Sequence, residues 1–147
     1  MDLDIGRDTL LALAAVVWAD GEMAPEEAQG LRTTASQLGL AAADLNAVEA
    51  AIAQRVTLDH VETIRMNRLT RLFTYAAAGW VVGLKGRVDA KEEEALRTLG
   101  DRLGLSNIAR ERASRAVETV GRSGAGAFDL LALRSRLSAS LSQVGLE

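Results

Sequence analysis

The sequence predicts an all-α fold, an internally duplicated helical bundle of seven to eight helices, and three observations carry that expectation. Composition is the first: of 147 residues 48% are hydrophobic, 3% are aromatic and one is proline, Pro25. Alanine, leucine, arginine and glutamate stand where β-branched runs would stand in a sheet protein. The second is an internal repeat. A shift of 65 positions, without a gap, lays Val16, Val17, Gly21, Glu27, Leu31, Arg32, Thr33, Leu38, Gly39 and Leu40 on Val81, Val82, Gly86, Glu92, Leu96, Arg97, Thr98, Leu103, Gly104 and Leu105. The third is the order within each copy: an apolar helix, a glycine turn, a short acidic entry and an amphipathic helix ending at Leu-Gly-Leu. The halves span about 7–55 and 66–120, with a small-residue linker at 121–126 and an additional helix at 127–144, all in one domain's length of chain.

Each element follows from its local pattern. Residues 8–19 are expected as helix, and their second half, 10–19, is apolar on every side, so this helix has to be enclosed. Gly21 suits a left-handed residue after it, and Pro25 suits the first position of the next helix, where no amide hydrogen is lost. Helix 25–38 lines up Ala28, Leu31, Ala35 and Leu38, and helix 42–54 lines up Leu45, Val48 and Ile52. Thr57 is placed to cap a segment from 58 to 84 that reads as one helix or two, with a bend near Arg65. Beyond it Met66, Leu69, Leu72, Phe73, Ala76, Trp80 and Val81 form an apolar stripe with Arg65, Arg68 and Arg71 off it.

In the second copy Asp89 and Glu92 make a capping box for helix 90–103, which is expected to bury Leu96, Leu99 and Leu103. Ser106 caps a further helix to about 120, rich in arginine at 110, 112 and 115. Phe128, Leu131, Leu133, Leu137 and Leu141 give the last helix an apolar stripe, which either covers the bundle or docks on another chain.

Charge and composition narrow the function classes. Residues 1–64 carry 11 acidic and 3 basic side chains, and residues 65–147 carry 9 and 14, so the halves are electrostatic opposites within a net charge of −3. Mutual attraction of the two halves accounts for this more simply than a charged ligand does. No cysteine is present, which removes thiolate chemistry and fits a reducing cytoplasm, the expected location. The acidic start at Asp2 and Asp4 is unlike a secretory signal. The longest apolar run, 10–19, is about half of a membrane span, so no direct membrane insertion is expected. His60 is the single histidine and reads as a surface residue, which leaves no acid–base triad; no catalytic residue is expected. The arginines are diluted by Glu111, Glu118 and Asp129, so nucleic acid is not the expected partner, whereas a protein partner or a second copy is. Trp18 and Trp80 read as core, with Trp18 filling space beside Gly83 where Gly79 and Gly83 let the two apolar helices approach.

The run Ala19-Asp20-Gly21-Glu22-Met23, the acidic helix start Pro25-Glu26-Glu27 and the alanine-rich helix before them resemble the TerB family of tellurite-resistance proteins and the related N-terminal domains of some DnaJ-like membrane chaperones. The resemblance covers about residues 7–120. It implies an all-helical bundle with pseudo-twofold internal symmetry, a non-enzymatic role in bacterial stress response, and an acidic surface cluster that holds metal ions. Asp20, Glu22, Glu26 and Glu27 match that cluster in the first copy, while the second offers Lys85, Arg87, Lys91 and Glu92, so only one copy suits a cation. A divalent ion such as calcium needs six to eight oxygens, of which these carboxylates supply part. The alternative is a metal-free adaptor that uses its charge asymmetry and last helix to hold a protein partner.

Overall fold

In a computed structural model of the chain the described residues are 6–21, 23, 25–63, 66–83 and 90–120; the side chains of Asp20, Glu26, His60, Val82 and 118–120 fall outside that description. Among the described residues the fold is all-α, with six helices: α1 (Arg7–Val17), α2 (Pro25–Gln37), α3 (Ala42–Ala53), α4 (Arg68–Gly83), α5 (Ala90–Arg102) and α6 (Asn107–Val120). None of the described helices is long and apolar enough to cross a membrane. The linker 121–126 and the helix expected at 127–144 lie outside the described residues.

Helix α1 is enclosed, as its all-round apolarity demands: every residue from Thr9 to Val17 is buried. It is in contact with α2, α3, α4 and α5, while α4 is in contact with α1, α5 and α6. The α1–α4 pair is therefore the centre of the bundle. A hydrogen bond of 3.0 Å joins the two helices through the hydroxyls of Thr9 and Thr74, both almost fully buried. Each hydroxyl satisfies the other, which an apolar interior requires. Around it Leu10, Leu13, Val16, Leu72, Phe73 and Val81 are at most 1% exposed, each such side chain contributing roughly 1.5–3 kcal/mol.

Three sequence expectations need correction. The first helix ends at Val17 rather than Ala19, because residues 18–20 tighten into a 3₁₀ turn that Gly21 closes in the left-handed region (φ 90°), its amide donating to the Trp18 carbonyl at 2.8 Å. The segment after Thr57 is not the start of a long helix. Leu58–His60 is a single 3₁₀ turn, residues 61–63 are irregular, and α4 begins at Arg68. Asn67 causes that late start by capping: its side-chain oxygen accepts from the Thr70 amide at 2.8 Å. Arg71 then donates to carbonyls around the irregular segment, from Nε to Met66 (3.1 Å) and from Nη2 to Thr63 (2.9 Å), which also accepts from the Met66 amide at 3.0 Å, with Nη1 reaching Leu103 just after α5 (3.0 Å). Arg65, where a bend was expected, lies outside the described residues.

The third concerns Gly79: a Cβ placed there would meet nothing within 4 Å, so α4 does not use it for close approach. The expected Trp18–Gly83 neighbourhood falls outside the described side chains at position 83. Trp18 instead donates its indole N–H to the Ala51 carbonyl of α3 at 2.7 Å.

The other elements follow the sequence closely. Ser106 caps α6 by accepting from the Ala109 amide at 3.1 Å. In α5 Leu99 and Leu103 are buried, whereas Leu96 is only partly so. Asp89, the expected cap of α5, lies outside the described residues. Helices α2 and α5 each have 13 residues and start 65 positions apart, as do the starts of α3 and α6. After α2 and α5 come Gly39 and Gly104, left-handed at φ 68° and 69°.

Candidate acidic corner and the adjoining cleft

The corner expected to carry function lies between α1 and α2. Gly21 turns it, and a Cβ at this position would meet nothing within 4 Å, so the turn is open on that side. Asp20 belongs to the preceding 3₁₀ turn and Glu26 to the first turn of α2, while Glu22 and the side chains of Asp20 and Glu26 lie outside the described residues. Of the four expected ligands only the Glu27 side chain is described, and it is 4% exposed. It occupies the third position of α2, where a glutamate turns back toward the helix's first amides.

The second half offers an internal control. Glu92, 65 positions on, holds the same third position in α5 and is 1% exposed. Lys85, Arg87 and Lys91 stand at the positions of Asp20, Glu22 and Glu26, among Asp89, Glu93 and Glu94. The two glutamates are thus buried alike at equivalent helix positions. Neither carboxylate lacks a partner. Among the described residues no three His, Cys, Asp or Glu side chains are grouped so as to hold a metal ion.

A feature the sequence reading missed adjoins this corner. Ala19, one residue before Asp20, helps line a cleft of about 590 Å³ between the end of α1, residues 55–59 and one face of α5. Its apolar surface comes from Ala15, Ala19, Val56, Leu58 and Ala95. Charged side chains surround it: Arg55, Lys91 and Arg102 against Asp59 and Glu94, all exposed. Arg102 forms an ion pair with Asp59 across the opening, joining α5 to the 3₁₀ turn after Thr57. A signal for the cleft was present in the 65-residue comparison, at positions where it fails: Ala15 stands opposite Trp80 and Ala19 opposite Leu84.

The arginines of α6 are engaged at home. Arg110 donates from Nε to the Leu105 carbonyl (3.0 Å) and from Nη2 to Asp101 (2.8 Å), and Arg115 pairs with Glu111 one turn away at 2.6 Å. A smaller cavity, about 170 Å³, opens at the other end of α1 beside Arg7, Asn67 and Thr70, where Arg7 reaches Asp44 at 3.4 Å. Comparison of the chain with protein-family models, with curated proteins and with solved structures returns no match.

Proposed function

We propose that the chain is a non-enzymatic helical module of the TerB type, built from two equivalent halves, that works by holding a protein partner in a stress-response setting. The equivalence is supported by the 65-residue spacing of α2 with α5 and α3 with α6, and above all by the Thr9–Thr74 contact. Two residues related by a repeat touch each other only when they lie on the axis relating the repeats. A contact between positions 65 apart is thus what a twofold axis between α1 and α4 calls for. The motif at 19–23 supports the family reading.

The observation that carries the binding role is the cleft, whose lining joins Ala15, Ala19, Val56, Leu58 and Ala95 to five charged side chains. Concave apolar surface with a few charged groups around it is where proteins accept ligands and partner side chains. A photoreactive amino acid placed at Thr98 in the cleft, or at Gln29 on the corresponding face of α2, tests this in cells. The expected result is one stoichiometric partner that reconstitutes from purified components; no reconstituting partner from either site overturns the reading.

The acidic corner supports a second, narrower reading. Its turn is open at Gly21, so a cation held by Asp20, Glu22 and Glu26 would sit at the surface, with Glu27 left to the fold. Calcium titrated into chelator-treated protein then gives a heat that Asp20→Asn abolishes and Glu27→Gln spares. No heat leaves the metal-free adaptor.

A further inference from the structure

We propose that the cleft beside Ala15 receives a tryptophan, or an aromatic side chain of similar size, carried by an acidic segment of the partner protein. The inference rests on the reading of the chain as a two-halved, protein-binding module, because the second half is what shows the occupant's chemistry. At the position equivalent to Ala15, α4 carries Trp80, whose side chain is 6% exposed. The first half replaces that indole with a methyl group, and the cleft opens where the methyl is. A volume of about 590 Å³ has room for an aromatic side chain and the backbone on either side of it, and such side chains are the usual anchors of protein interfaces.

The rim changes together with the base. Lys91, Arg102 and Arg55 have as their equivalents Glu26, Gln37 and Val120, so none of the three cations has a basic counterpart in the other half. Arg102 and Asp59 pair with each other at the opening. That leaves Arg55 and Lys91 against Glu94, a net charge of one positive unit around this cleft, although residues 1–64, which supply its α1 wall and residues 55–59, hold 11 acidic side chains against 3 basic ones. Cations around an apolar recess favour a segment that places carboxylates on both sides of its anchoring ring, and they speed its encounter.

Fluorescence polarisation on the full chain tests this with three fluorescein-labelled peptides: Asp-Asp-Trp-Asp-Asp, the same with alanine for tryptophan, and Lys-Lys-Trp-Lys-Lys. The acidic tryptophan peptide is expected to bind, the alanine version about tenfold more weakly or worse, and the lysine version not at all. Raising salt from about 50 to about 500 mM weakens the binding. Ala15→Trp closes the recess with the chain's own indole and abolishes binding. Because Ala15 is 5% exposed and sensitive to overpacking, Ala95→Trp closes it from the half-exposed α5 wall, and Arg55→Glu with Lys91→Glu reverses the rim. Both keep the wild-type melting curve and lose the peptide. The proposal is overturned if the acidic tryptophan peptide does not bind, if all three peptides bind alike, or if Ala95→Trp binds like wild type. Anionic phosphatidylglycerol vesicles taken up in place of the peptide would assign the cleft to a membrane surface and overturn it equally. A partner crosslinked from Gln29 and not from Thr98 removes this inference while leaving the module reading in place.

Discussion

The contact between α2 and α3 and that between α5 and α6 solve one packing problem by two chemistries. In the first half Ala35 is buried on α2, Leu45 is partly buried on α3, and Arg32 spans the pair from outside, its Nε 2.9 and 3.1 Å from the two carboxylate oxygens of Glu49. In the second half the corresponding residues are Gly100 and Arg110. The guanidinium lies over the glycine so closely that a Cβ there would be 2.7 Å from its Cζ. One half has a buried methyl and an aliphatic chain at these positions and sets its ion pair at the surface. The other removes the methyl and lays the arginine's guanidinium over the glycine, where it also meets Leu105 and Asp101. The lesson is that equivalent positions carry different side chains in the two halves, and that the helices they join differ too, α2 and α3 meeting more extensively than α5 and α6.

The strongest way to test how unequal the halves are is Arg71, whose equivalent in the first copy is Gly6. Arg71→Met removes donors from three carbonyls, those of Thr63, Met66 and Leu103, and is expected to cost about 3 kcal/mol in chemical denaturation. Hydrogen exchange should localise the loss to residues 61–67 and the end of α5. A cost below about 1 kcal/mol would mean that water satisfies those carbonyls equally well.

The axis itself is tested by Thr9 and Thr74. Thr9→Val alone leaves the buried hydroxyl of Thr74 only its weak contact with the Met66 sulfur (4.0 Å), at about 1–2 kcal/mol, and Thr74→Val should cost about the same; the double substitution returns close to wild type. Unequal single costs would break the claim that the two positions are equivalent. Gly39 and Gly104 sharpen the same claim at the periphery. Both are left-handed, and an added Cβ meets nothing within 4 Å at Gly39 and only Arg71 Nη1, at 3.8 Å, at Gly104. Alanine at either should therefore cost the same, about 1 kcal/mol of backbone strain.

Much of this fold was legible in the residues and part was not, for physical reasons. A ten-residue run with no polar side has only one stable place, so the burial of α1 was fixed by its composition. Pro25, Gly39, Ser106 and the Leu-Gly-Leu stops act through local backbone preference, which a sequence displays directly. The late start of α4 was hidden because the apolar stripe runs on through Met66, so a period-based reading passed over the local cap that Asn67 supplies to the Thr70 amide. The corner motif was visible as a pattern of charge, but the burial of Glu27 was not, since a helix-start glutamate faces water or the bundle according to tertiary packing. The cleft was not read from the sequence, because Ala15 opposite Trp80 is only a failed match until the folded chain places Ala15 beside residues 55–59 and α5.

The smallest expected effect bears most directly on that difference in side chains. Gly100→Ala gains about 1 kcal/mol of helix propensity but pushes the Arg110 guanidinium off its site, with the loss of its bonds to Leu105 and Asp101. The displaced atoms are the far end of a flexible side chain, so the two terms nearly cancel and the net change stays within about 1 kcal/mol. Arg110→Leu alone leaves a void above Gly100 and is destabilising by a similar amount. The two together rebuild the alanine–leucine pair of the first half, and the double mutant should be more stable than the sum of the singles by about 1 kcal/mol, read from a thermal or urea double-mutant cycle. Additive costs would mean that Gly100 and Arg110 are independent differences and that the second interface was never a substitute for the first.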